Sequence, residues 1–325
     1  HSVLGKIQMK EKQSEFYLGD VLCSEGLTAS IQATIQDRTA RVKGSIYELR
    51  SLIEDFRMQA VGGMMAAIDL YESCIVPSLL TNCGTWTEMT EKEENLLEEI
   101  QNMFCRAVLQ VPVSSPKPSL SAVFGLTSMK VRVMEAKVLL VLAVRNQEEG
   151  GLAKEVLEEQ MAMGFPGLGQ EVRQICLQVG LPDVTIMDVQ PEEVRKCLKL
   201  DSLTQQKSDM AGMNKLQELS QSDIRVPQEY VSWTVEECRM AYRLQTRMFD
   251  CRANMPSRYK RDLVCRACRP DPASGQEGQE ESQEHLEVCR GYSELWKGLG
   301  PMTPRTRTRY FIKVKNKRTK SAKLH

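Results

Sequence analysis

At 325 residues the chain is long enough for two or three domains, each with a core of its own. Aromatics make up only 6%, while Leu, Met, Glu, Lys and Gln are frequent, a balance that favours helices over sheets. Net charge is zero, but nine Lys/Arg and no acid follow from Arg305 to the end, and six acids and no base lie between Asp271 and Cys289. That asymmetry points to a polyanion as partner for the basic parts. The longest strictly apolar run, Val138 to Val144, is far too short for a bilayer, so no membrane span is expected. Eleven scattered cysteines do not form a disulfide framework; Cys105 and Cys176 read as small core residues, and a reducing compartment, cytoplasm or nucleus, follows. The chain begins at His1 without a signal-peptide pattern, which suggests a natural start further upstream.

In chain order, the segment Glu15-Phe16-Tyr17-Leu18-Gly19-Asp20-Val21-Leu22 predicts two short β pieces about a turn or bulge at Gly19. From Thr28 the apolar period lengthens. Ile31, Ile35, Val42, Ile46, Leu49, Ile53 and Phe56 mark a long helix with a narrow seam. A second helix is expected from Met58 to about Ile75, weakened at Gly62-Gly63 and closed by Pro77. Thr90 and Glu93 form a capping box for a third, whose inner face carries Leu97, Ile100, Phe104 and Val108. Val111 to Ser119, with three prolines and three serines, reads as an extended connector. Helices follow over Met129 to Gln147, Leu152 to Met163, Gly169 to Val179, Glu192 to Leu200, Leu203 to Ser220 and Trp233 to Arg252. The expected fold is mainly α, with a small β-hairpin at the N-terminus and a small zinc-knuckle module near the C-terminus.

The sharpest chemical pattern is Cys265-x2-Cys268 followed by His285-x3-Cys289. A CxxC turn places two thiolates on one side of a zinc ion, and a His and Cys one helical turn apart close the other. His285 is the only histidine away from the chain ends. With four protein ligands no position remains for water, so the zinc would be structural.

Basic residues frame that set. Arg239, Arg243 and Arg247 recur at four-residue spacing, as one helix face would, followed by Arg252, Arg258, Lys260, Arg261, Arg266 and Arg269, with Tyr242, Phe249 and Tyr259 interleaved. The bland reading is a solvated face paired with Glu236 and Glu237. The functional one is a surface whose cations neutralise phosphates while rings stack on unpaired bases, which makes RNA a natural partner. The tail, with Lys313, Lys315, Lys317, Arg318 and Lys320, reads as an import signal, a nucleic-acid arm or a soluble disordered end, with one short strand at Tyr310 to Val314. No catalytic residues are found: the one internal histidine is claimed by the metal set, phosphate-loop glycine motifs are absent, and no two aspartates are adjacent.

Phe16-Tyr17-Leu18-Gly19, then Gly26 and the long helix, resembles the primer-grip hairpin and thumb of non-LTR (LINE-type) retrotransposon reverse transcriptases. Leu96 to Pro118, Gly125 and the helix after it are similar to the post-thumb region. Arg243-Leu-Gln-Thr-Arg, Asn254 and the Cys-Cys-His-Cys set look like the C-terminal zinc-knuckle module. The resemblance implies that residues 1–110 are the end of the palm and a helical thumb, 111–230 a helical linker, 231–300 the C-terminal helix and zinc module, and 301–325 a basic tail. Tyr17, Leu18 and Gly19 would steer a primer end, and the basic segment would hold element RNA or target DNA. The palm aspartates and the endonuclease lie upstream in such proteins, so this chain alone would be no polymerase but a partner of those parts. Two other readings stay open: a domesticated zinc-dependent RNA- or DNA-binding host protein, and a helical protein-interaction scaffold.

Overall fold

The computed structural model describes residues 13–17, 19–55, 60–87, 89–164, 166–213, 216–221, 228–249, 282–297, 299 and 303–322. Among them the chain is mainly helical, with one two-stranded sheet. Strands β1 (Ser14–Tyr17) and β2 (Asp20–Cys23) pair antiparallel, Tyr17 opposite Asp20, as expected for the opening segment. Gly19 turns between them at φ +87°, a backbone region that any side chain would strain.

Helix α1 (Leu27–Asp55) carries most of the expected seam: Ile31, Ile35, Val42, Ile46 and Leu49 are buried, Ile53 is half-buried, and Phe56 lies outside the described residues. Its first turns also bury Ser30 and Thr34, whose hydroxyls accept the backbone N–H groups of Cys23 and Val21 at 2.8 Å each, tying β2 to the helix.

The second expected helix is three pieces. Helix α2 (Gly63–Leu70) passes into a π-helical turn at Tyr71–Ile75 and then α3 (Val76–Leu80). Pro77 does not close the helix as expected. It sits in the first turn of α3, where its missing N–H costs nothing, and the wider π register ahead of it accommodates the ring. Gly63–Leu80 has the length and mean hydropathy, 1.3, of a membrane-spanning helix, a feature the apolar-run reading passed over. Met64, Ala67, Ile68, Tyr71, Ile75, Val76 and Leu79 are buried along it, as in the core helix of a folded domain.

Helix α4 (Glu91–Leu109) buries Leu97, Ile100, Phe104 and Val108 as expected. Half of the capping box forms: the Glu93 carboxylate accepts the Thr90 N–H at 3.0 Å and also the Thr90 hydroxyl, so that hydroxyl is turned to the carboxylate. The proline- and serine-rich connector is shorter than expected, because Lys117–Phe124 forms α5 with Pro118 in its first turn and Gly125 as its left-handed cap.

Helices α6 (Met129–Arg145), α7 (Leu152–Met163) and α8 (Leu168–Val179) follow the expected bounds closely. The next two expected helices are one, α9 (Pro191–Ala211), whose buried stripe Val194, Leu198, Ser202, Gln206, Met210 keeps an unbroken four-residue step. Short α10 (Gln217–Gln221), α11 (Val235–Gln245), α12 (Gln283–Val288) and α13 (Pro304–Ala322) follow among the described residues.

The chain divides into two discontinuous compact units. One comprises His1–Glu48, Leu70–Phe104 and Thr127–Leu203. One apolar cluster in it joins α6, α7, α8 and α9 through residues such as Val138, Leu157, Val172 and Leu198. Tyr71 and Phe104 stack with centroids 4.1 Å apart, and the Tyr71 hydroxyl donates to Gln101. In the same unit Arg38, 3% exposed, donates to the carbonyls of Gly19 (2.9 Å), Leu79 (3.3 Å) and Thr81, and to Asp20 (2.6 Å). Its guanidinium lies 5.4 Å from the Trp86 ring centroid.

The other unit comprises Leu49–Asp69, Cys105–Leu126 and Thr204–His325. Its core joins Met240, Leu244 and Phe249 to Leu286, Tyr292, Tyr310, Phe311 and Val314. The expected short strand and disordered end are therefore absent here: residues 304–322 are helix α13, with Tyr310, Phe311 and Val314 fully buried.

Candidate nucleic-acid interface

Helix α11 begins with a full capping box, Thr234 Oγ1 accepting the Glu237 N–H at 3.2 Å and Glu237 accepting the Thr234 N–H at 2.8 Å. Glu237 is 4% exposed and does more than cap. Its carboxylate also accepts from Arg305 (3.1 and 3.2 Å) and Arg309 of α13. Burial works against the charged form, but these arginines and the Thr234 N–H outweigh it and hold the carboxyl below the usual range. Arg307 pairs with Glu287, Lys313 donates to the Leu295 carbonyl at 3.3 Å, and Lys317 lies 5.3 Å from the Tyr292 ring centroid. Much of the tail's charge thus binds α13 to its own unit.

The expected face of three arginines is not formed: Arg239 and Arg243 lie on α11, and Arg247 does not. Arg239 Nε donates to the Val108 carbonyl at 2.6 Å and Arg243 Nη2 to the Gln110 carbonyl at 3.0 Å, so both meet orphan carbonyls at the C-terminal end of α4. Burial pushes the Arg239 guanidinium down to about 10, still charged at neutral pH, and its Nη2 has no hydrogen-bond partner among the described residues. Arg247 stands beyond the helix end, exposed, at φ +51°. Two of the interleaved rings, Tyr242 and Phe249, are core residues rather than stacking platforms. Tyr242 is fully buried with its hydroxyl 2.8 Å from that of Ser119, and Phe249 is 3% exposed with its ring edge on Phe311.

What the structure does bring together is Arg243 with Lys315 and Arg318. They line one recess of about 370 Å³ with Gln110, Val111, Pro112, Met248, Phe249 and Thr319. No carboxylate lines it among the described residues. Lys315 and Arg318 reach it together because they are three residues apart on α13, next to the seam that Tyr310, Phe311 and Val314 bury. Sequence reasoning named the three cations but missed Val111, Pro112, Met248 and Thr319, which nothing local links to them. A second recess, of about 210 Å³ in the other unit, is lined by Glu94, Lys130, Lys137 and Glu171, whose charges close on each other in pairs at 2.9 and 2.6 Å. Its lining pairs acid with base, whereas the described lining of the first holds cations and no acid.

Of the remaining expected site residues, Tyr17 is 62% exposed on the hairpin beside Gly19. Leu18, Arg252, Arg258, Tyr259, Lys260 and Arg261 lie outside the described residues. So do the expected zinc ligands Cys265 and Cys268. The other two are placed on one short element: His285 in α12, its N–H accepted by Ser282 at 3.0 Å, and Cys289 at the helix C-cap, 1% exposed. That one-turn spacing suits one side of a tetrahedral site. Among the described residues no group of three or more His, Cys, Asp and Glu is gathered for a metal.

No family model, no curated protein and no solved structure matches this chain.

Proposed function

We propose that the chain is a nucleic-acid-binding C-terminal part of a LINE-type reverse transcriptase, holding element RNA and template or target strands without a catalytic centre of its own. The observation that carries the reading is the recess where Arg243, Lys315 and Arg318, from two basic stretches about seventy residues apart in sequence, line one surface with no carboxylate among its described lining residues. Clustered guanidinium and ammonium groups bind phosphate by charge-assisted hydrogen bonds, and the counterions they displace supply affinity. The resemblance of the hairpin, thumb-like helix and Cys-Cys-His-Cys order supplies the family. A structural zinc held by Cys265, Cys268, His285 and Cys289 would set the position of α12, and through it Glu287 and Arg307.

The test is binding of labelled single-stranded RNA, with and without a zinc chelator. The reading expects zinc-dependent binding that weakens as salt rises, and no template-directed extension of a primer by the purified chain. Absence of RNA and DNA binding at low salt would overturn it. A helical protein-interaction scaffold is the second reading, favoured by the internal use of Arg239, Arg305, Arg307 and Arg309. It expects partner capture that salt and RNA leave unchanged.

A further inference from the structure

We infer that the recess holds one unstacked nucleotide of a single strand, its phosphate on Arg243, Lys315 and Arg318 and its base on the apolar wall of Val111, Pro112 and Met248. This rests on the proposed nucleic-acid reading and adds to it a site, a stoichiometry and a strand preference. Volume is the first support. At about 370 Å³ the recess is at the small end of ligand pockets, enough for one nucleotide unit and too narrow for a base pair.

The division of chemistry within it is the second. The cations come from α11 and α13, while the apolar wall comes from the turn after α4 and the turn after α11. A phosphate and a base placed side by side in a nucleotide need such an arrangement: charge at one end, a face for van der Waals contact at the other. Phe249 forms the base of the recess but is 3% exposed, so it closes the cavity rather than offering a ring face. The wall therefore contacts any base by shape, and sequence tolerance follows.

Preorganisation is the third. Gln110 adopts φ +52°, which turns the chain directly after α4, and its carbonyl holds Arg243 Nη2 at 3.0 Å. The N–H groups of Met248 and Phe249 both reach the Arg243 carbonyl, at 2.7 and 3.0 Å, so the second wall is held by the same residue. Gln110's side-chain amide is turned to Glu54 at 3.1 Å, a carboxylate that Arg50 also holds at 3.0 Å. A guanidinium oriented before binding loses less freedom when phosphate arrives. A duplex presents its bases stacked and paired, so only unpaired strands fit the recess.

The experiment uses the full zinc-loaded chain and Thr319→Trp, which fills the rim from an exposed position and keeps all three cations. Circular dichroism checks that the variant keeps its helices. Oligo(U) binding should weaken roughly tenfold in T319W, while binding of a duplex RNA of equal charge stays the same, since charge contacts are untouched. In parallel, a 4-thiouridine oligonucleotide crosslinked to wild type should mark peptides containing 110–112, 248–249 or 315–319. Unchanged oligo(U) affinity in T319W, or crosslinks confined to other segments such as 14–22, would overturn the site while leaving general nucleic-acid binding standing. Wild type that binds neither RNA would instead overturn the proposed function itself.

Discussion

Replacing Glu237 by Gln tests whether α13 is held to its unit by the charge pairs described. The wild-type carboxylate is 5% exposed in its side chain, against 32% for Arg305 and 47% for Arg309. Each arginine, being a third to half in solvent, is credited with about 0.5–1 kcal/mol. Gln keeps part of the cap on Thr234, so weakening there adds only about 0.5 kcal/mol. The total is about 2 kcal/mol, or roughly a thirtyfold rise in opening, at 1.4 kcal/mol per factor of ten. Native-state hydrogen exchange read on peptides covering 304–322 measures it directly. The α6 and α8 peptides of the other unit serve as internal control. Because the folded carboxyl titrates below its usual value, its contribution is fully present above about pH 4.5 and is lost as pH falls through that lowered value. Wild-type protection in α13 should therefore decline in acid, and E237Q should be less sensitive there. Equal protection of α13 in wild type and E237Q at pH 7 would refute the assignment.

Arg38→Met removes the donor to three carbonyls and Asp20 from a side chain only 4% exposed, and should cost about 3 kcal/mol, seen as a lower midpoint in urea. Gly84→Ala should destabilise the same unit by about 1–3 kcal/mol in that assay, since a Cβ there would stand 2.9 Å from the Ala136 carbonyl oxygen and backbone cannot yield cheaply. Cys289→Ser should lower bound zinc from about one per chain toward none by elemental analysis, with the α6 to α9 core keeping its exchange protection.

Where local pattern and tertiary packing agree, the fold was legible. The α1 seam, the inner face of α4 and the bounds of α7 followed from apolar spacing, because the apolar residues there keep an unbroken helical step even though polar side chains such as Thr34 and Gln101 are buried beside them. The reading broke where polar residues occupy buried turns. Ser202 and Gln206 interrupt the hydrophobic stripe of α9 without interrupting the helix, so apolar spacing alone splits one helix into two. In α13, Tyr310, Phe311 and Val314 form a short helical seam that surrounding Lys and Arg disguise as a soluble arm. The candidate site was half legible for a related reason. Charge marked Arg243, Lys315 and Arg318, but an arginine that caps a helix and one that meets a phosphate look alike in sequence. Arg239 and Arg243 both meet carbonyls at the end of α4, and only the packing that buries Arg239 and leaves Arg243 lining the recess separates the two. The α11 turn at Thr246 and Arg247 carries no proline or glycine, so the end of the presumed basic face was invisible.

The central claim is that Arg243, Lys315 and Arg318 together bind a single strand, and its most direct test is the salt dependence of RNA affinity. If wild type neutralises about five phosphates, the slope of log K against log salt should be about −3.5 for single strands. Removing all three cations in R243A/K315A/R318A should flatten that slope by about 2, three contacts at about 0.7 each. A triple variant that stays folded and keeps the wild-type slope would contradict the claim.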